Sequence, residues 1–183
     1  DEPVFGYSDK TLCSTLVDYG AFVPAEESFP AIIKPNRILR RSSPVVSAFY
    51  RPNRHIQYRE LAGSRALLIP TVYQGNCIYG PAHAYETEVY YQWHLAIASA
   101  VPDLTIKLHP KTRIERDFPC KKDYRKLEAC IGEYDILVLD FFSTAGVLAI
   151  FSDKPVIYFN IGLRRLNPIF EGAVRRRCTT IDI

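Results

Sequence analysis

Between Arg65 and Phe159 the sequence repeats one pattern: a short, mostly apolar run, a polar loop, then a longer stretch with helical spacing. The runs are Ala66–Pro70 (ALLIP), Leu104–Leu108 (LTIKL), Asp135–Leu139 (DILVL) and Val156–Phe159 (VIYF). The first, continuously apolar, predicts a strand buried on both faces, and the other three predict further short strands. After the first, Tyr85, Val89, Trp93, Ala96, Ile97 and Ala100 recur at spacings of three and four. That predicts one face of a helix stopped by Pro102. Tyr124, Leu127, Ile131 and Tyr134 predict a second helical stripe, and Ala145–Phe151 is almost wholly apolar and of helix length. The order is β-α-β-α-β-α-β. Parallel neighbours need right-handed crossovers, so the pattern predicts an α/β fold with a parallel sheet and helices on both faces.

Residues 1–60 have another character. Pro24, Pro30, Pro35, Pro44 and Pro52 cut the chain into short pieces with no sustained periodicity, although Ile32–Val46 could supply short strands. This segment reads as a Pro-rich connector or the remnant of a preceding domain, with residues 61–183 forming the α/β domain. The chain starts at Asp1 and contains no Met, which reads as an excised piece of something longer. Its start lacks the basic-then-apolar pattern of a signal peptide. No apolar run approaches the roughly 18 residues of a membrane span.

Hydrophobic residues at 48% and charged ones at 23% are ordinary for a soluble chain and exclude disordered and fibrous classes. A formal charge of +3 is too weak to demand nucleic acid or an anionic membrane as partner. Cys13, Cys77, Cys120, Cys130 and Cys178 are odd in number and form no CxxC pair, so they read as reduced cytosolic thiols. No HExxH, DxD or carboxylate cluster offers a metal site, and no Walker or GxGxxG pattern supports ATP or dinucleotide binding. No cofactor is expected.

Ligands of open parallel sheets bind outside the carboxyl ends of the strands. The candidates are therefore Thr71–Pro81, His109-Pro110-Lys111, Asp140–Thr144 and Asn160–Arg165. Ser143 and Thr144 stand where the chain enters a buried helix, whose first amides lack partners and whose dipole favours an anion. The ordinary alternative is an N-cap. Pro110 biases His109 toward extended backbone, which puts its imidazole at the rim, able to bond a phosphoryl oxygen or protonate a leaving phosphate. Lys107 could reach the same anion, and a strand-end His bonded to a carbonyl is the plainer reading of His109. His83 could touch a ligand or cap a helix, His94 reads as structural, and His55 lies in the connector. Arg164-Arg165 and Arg175-Arg176-Arg177 read as solvated basic faces, with phosphate or anionic lipid contact as the lesser option.

Jointly, LTIKLHPK and ILVLDFFSTAGVLAIFSDKPVIYFN resemble the carboxyl-terminal half of bacterial glycosyltransferases with two Rossmann-like domains, the GT-B arrangement. The similar groups are surface and capsular polysaccharide transferases, CDP-glycerol glycerophosphotransferases and bacterial polysialyltransferases. The resemblance covers residues 61–183. It implies that His109, Ser143 and Thr144 contact the phosphates of a nucleotide-activated sugar or polyol donor of CMP, CDP or UDP type. It implies that Asp140, in the D-x-x-S position, orients the loop, and that Asn160–Arg165 lies near the base or ribose. It also implies a polysaccharide or lipid-linked acceptor, and work in the cytoplasm or peripherally at the inner membrane. Acceptor pocket and catalytic base of such enzymes belong to the amino-terminal domain, so donor binding could persist here without turnover. A nucleotide-sugar epimerase of the same architecture and a non-catalytic interaction module docking through Arg175–Arg177 are the alternatives.

Overall fold

The computed structural model describes residues 15–18, 37–41, 44, 47, 56, 62–71, 73, 87–110, 112, 114, 116–163, 166 and 168–183. His55, His83, Tyr85, Cys13, Cys77, Lys111 and the Arg164-Arg165 pair lie outside them. The chain divides into two compact units, Asp1–Ala48 and Phe49–Ile183. In the first, Thr15–Asp18 (β1) pairs in parallel with Arg37–Arg40 (β2), Thr15 opposite Arg37.

The second unit carries strands Ala66–Ile69 (β3), Leu104–Lys107 (β4), Lys121–Asp123 (β5), Ile136–Leu139 (β6), Val156–Asn160 (β7) and Thr179–Asp182 (β8). They form one sheet in the order β5-β4-β3-β6-β7-β8, and every neighbouring pair is parallel. Counted from β3 this is 3-2-1-4-5-6, the doubly wound Rossmann order. Thr87–Ala100 (α1) follows β3, Leu127–Cys130 (α2) precedes β6, Thr144–Phe151 (α3) joins β6 to β7, and Pro168–Arg177 (α4) joins β7 to β8.

The strand side chains alternate between two cores. Leu67, Ile69, Leu137 and Leu139 pack with Leu127 and Cys130 of α2, Leu148 and Ala149 of α3, and Val174 of α4. Ala66, Leu68, Ile136 and Val138 pack with Tyr90, Tyr91 and Ile97 of α1 and with Phe118. Helices thus cover both faces. Leu67, Leu68 and Leu137 are fully buried, each such side chain contributing roughly 1.5–3 kcal/mol.

The sheet has two strands beyond those expected. β5 (KKD) and β8 (TTID) are its margins. A marginal strand has one neighbour and an open side, so it needs no apolar run. Lys121-Lys122 accordingly stands in a strand, within the polar stretch between Leu108 and Tyr124. The face of α1 is also rotated from the expected stripe. Tyr90, Tyr91, His94 and Ile97 are buried, whereas Val89 is 53% exposed and Ala96 and Ala100 face solvent. The buried polar tips all find internal partners, which a count of apolar residues cannot register. The second stripe shrinks to α2 and one 3-10 turn, Ile131–Glu133. Asp123 Oδ1 accepts from the Arg125 amide (2.9 Å) and turns the chain there, leaving Tyr124 exposed ahead of the helix. Past α1, Pro102 and the left-handed Asp103 (φ 54°) make the turn into β4. Among the described residues no helix is long and apolar enough to cross a membrane.

Candidate functional site

The strand order reverses between β3 and β6, which lie in register from Ala66↔Ile136 to Ile69↔Leu139. From here α1 leaves to one face of the sheet and α3 to the other. Such a reversal opens a crevice beyond the strand ends, where doubly wound sheets bind ligands. Its walls are Thr71 and Tyr73 after β3 and Asp140–Thr144 after β6, with His109 after the adjacent β4.

Ser143 has extended backbone (φ −112°, ψ −168°) and caps α3: its Oγ accepts from the Ala145 amide at 3.2 Å. Its carbonyl accepts from the Val147 amide at 3.1 Å. The hydroxyl therefore performs the ordinary cap, and it stays exposed together with Thr144, the first residue of the helix. A capping hydroxyl retains its own proton to donate outward. His109 and Pro110 are exposed as well, and the His109 carbonyl accepts from the Thr112 amide at 2.8 Å. His109 and the Ser143-Thr144 pair thus share one edge of the sheet, on either side of β3.

Two candidates stand elsewhere. Lys107 lies within β4, 8% exposed, in register with Asp123 of β5. Asp140 is 1% exposed and turned inward. Its Oδ1 accepts from the Tyr90 hydroxyl (2.9 Å), and its Oδ2 accepts from His94 Nε2 (2.6 Å) and Trp93 Nε1 (3.3 Å). His94, fully buried, meets the Tyr73 hydroxyl at Nδ1. The Tyr90 oxygen also accepts from the Thr71 amide at 3.1 Å. Burial, and next the charge of Asp140, push the Tyr73 and Tyr90 phenols well above their ordinary pKa, so both remain protonated donors. Burial likewise pushes Tyr158 up to about 12, with Asp140 second. The structural reading of His94 fits this placement. Tyr73 falls inside the Thr71–Pro81 candidate loop but was not singled out there, and Tyr90 was not a candidate, hinted at only by the aromatic density of YYQWH.

A cavity of about 290 Å³ opens beside the end of β7, lined by Tyr158, Asn160, Gly162, Leu166, Glu171 and Arg175 among others. Arg175 spans Glu171 and Asp182 (2.9 Å to each), and Asn160 donates to Asp182 at 2.8 Å. Arg175, with Asn160 second, brings Asp182 down to about 2. The C-terminal arginines are therefore not a uniformly solvated face. Arg175 and Arg176 are both exposed, Arg175 in surface ion pairs, and the half-buried Arg177 donates to the carbonyls of Ile150, Ser152 and Lys154. They sit on or at the end of a helix, α4, that the sequence pattern did not reveal. No group of three or more potential metal ligands occurs among the described residues.

No protein-family model matches the sequence, and no curated protein matches it significantly. Among solved structures the chain is similar to one described as "Crystal Structure Analysis of the Glycotransferase of kitacinnamycin". The TM-score is 0.41 at 15% identity, over 72% of this chain and 34% of that one. The chain spans about a third of that structure's length.

Proposed function

We propose that residues 61–183 are the donor-nucleotide-binding domain of a GT-B glycosyltransferase or glycerophosphotransferase acting on bacterial surface polysaccharide, with residues 1–60 the remnant of the preceding domain. The observation that carries this reading is the placement of the exposed Ser143-Thr144 start of α3 at the strand-order reversal, with exposed His109 across β3. Hydroxyls, first-turn amides and helix dipole favour a phosphate there. His109 bonds the opposite phosphoryl oxygen and, when protonated, gives its proton to the departing nucleotide, as the acceptor hydroxyl attacks the donor. Asp140, turned away from the crevice, shapes the loop. The cavity beside Asn160 lies further along the same edge, where the base or ribose would rest.

The donor is a CMP-, CDP- or UDP-activated sugar or polyol and the acceptor a polysaccharide or lipid-linked chain at the cytoplasmic side of the membrane. In the interaction-module alternative the docking cations would be the exposed Arg175 and Arg176, since Arg177 is held by carbonyls of its own chain. Thermal unfolding with CMP, CDP and UDP tests the proposal. Binding to the native state alone raises the midpoint by mass action. His109→Ala should remove most of the rise without lowering the ligand-free midpoint. No response to any of the three at millimolar concentration, or a response indifferent to His109→Ala, would defeat it.

A further inference from the structure

The backbones of β3 and β6 are hydrogen-bonded only as far as Ile69 and Leu139. Beyond that level the chains part toward opposite faces, and the described links between the two crevice walls run through side chains. One link runs from the Thr71 amide to the Tyr90 oxygen (3.1 Å), then from the Tyr90 hydroxyl to Asp140 Oδ1 (2.9 Å). A second joins Tyr73, His94 and Asp140. A carboxylate only accepts, so Tyr90 spends its single proton on Asp140 and takes the Thr71 amide on its lone pairs. His94 bridges Asp140 and Tyr73, its Nε2 against Asp140 and its Nδ1 against the Tyr73 hydroxyl, which also donates to the Tyr90 carbonyl oxygen at 3.4 Å.

A carboxylate with no exposed side-chain surface is costly unless several donors compensate it, and apolar residues of similar volume would often fill the space at least as stably. Burying it just before Phe141–Thr144 serves geometry better than stability. We infer that Tyr90 and His94 are positioning residues of the anion site, locking the Asp140–Thr144 wall to the Thr71–Tyr73 wall. This rests on reading the crevice as a phosphate site. The start of α3 then meets its ligand already aligned, and binding does not have to order the loop.

Tyr90→Phe deletes one oxygen and keeps the ring, so it tests the link with little loss of packing. Amide hydrogen exchange of the ligand-free protein should accelerate about tenfold at Thr71, Tyr73 and residues 141–146, the scale of one lost buried hydrogen bond. The central strands β3 and β6 should keep their wild-type rates. CDP or UDP affinity, whichever binds, should fall by a similar factor. His94→Leu should behave alike, while His94→Gln, which retains a donor toward Asp140, should recover much of the loss. Wild-type exchange at both walls in Tyr90→Phe overturns the inference, and so does acceleration spread evenly over the sheet. If the wild-type protein binds none of CMP, CDP and UDP, the donor reading fails, and the exchange pattern still decides whether the walls are locked. Should His94→Leu not fold, Tyr90→Phe decides alone.

Discussion

The ring of Phe142 occupies the space that a side chain on Gly146 would need: a Cβ there would lie 2.8 Å from Phe142 Cδ1. Phe142 cannot easily retreat. It is 3% exposed and meets Tyr158 and Phe170 edge-on, with ring centroids 4.7 and 5.4 Å away. Gly146→Ala gains about 1 kcal/mol of helix propensity, but over-packing of this kind costs about 1–3 kcal/mol. The net expectation is a lowered unfolding midpoint and a displaced Ser143 cap, measured by thermal unfolding and a structure of the variant. A raised midpoint would show that the ring has room.

Acid should weaken the fold through Asp123. The Arg125 guanidinium, first among several donors, holds this carboxyl far below its usual range in spite of burial, and Glu133 is lowered by the same guanidinium. A folded pKa below the unfolded value of about 3.9 means a contribution complete above that pH. It is lost as pH falls toward and through the folded value. Urea unfolding from about pH 6 down to about pH 2 should steepen in this window, and Asp123→Asn should flatten the dependence. Parallel curves for the two proteins would contradict the assignment.

Arg177 and its neighbour Arg176 should differ sharply. Arg177 reaches the carbonyls of Ile150 (2.9 Å), Ser152 (2.8 Å) and Lys154 (2.8 Å), closing the end of α3. Arg177→Ala should cost roughly 1.5–3 kcal/mol in denaturant unfolding. Arg176→Ala, at an exposed position, should stay within about 0.5 kcal/mol. Equal effects would mean that the carbonyl bonds are not what Arg177 contributes.

The described thiols should resist alkylation. Cys120, Cys130 and Cys178 are free, and burial raises all three, Cys178 up to about 11. The thiolate is the reactive form. Iodoacetamide near neutral pH, followed by peptide mapping, should leave Cys130 and Cys178 unlabelled until denaturant is added. Rapid native labelling of either would refute their burial.

The central strands were legible because β3, β4, β6 and β7 are written mostly in apolar residues. The marginal strands were not, since β5 and β8 are made of Lys, Asp and Thr. The rotation of α1 escaped notice because His94 and Tyr90 are buried through polar tips whose partner, Asp140, is far along the chain. The same distance hid the crevice's internal bracing, although Ser143, Thr144 and His109 could be singled out from their places at strand ends. α4 was obscured by its own arginines: the solvated reading holds for Arg175 and Arg176, while Arg177 turns back onto the carbonyls after α3.

The composition of β5 has a further effect. It ends the sheet with exposed Lys121, Lys122 tied to Asp117, and a buried aspartate. A foreign strand seeking to extend the ladder here would have to dehydrate ammonium groups before gaining any backbone bond. Along this border the molecule repels fibrillar stacking, and concentrated solutions should grow no filaments from it.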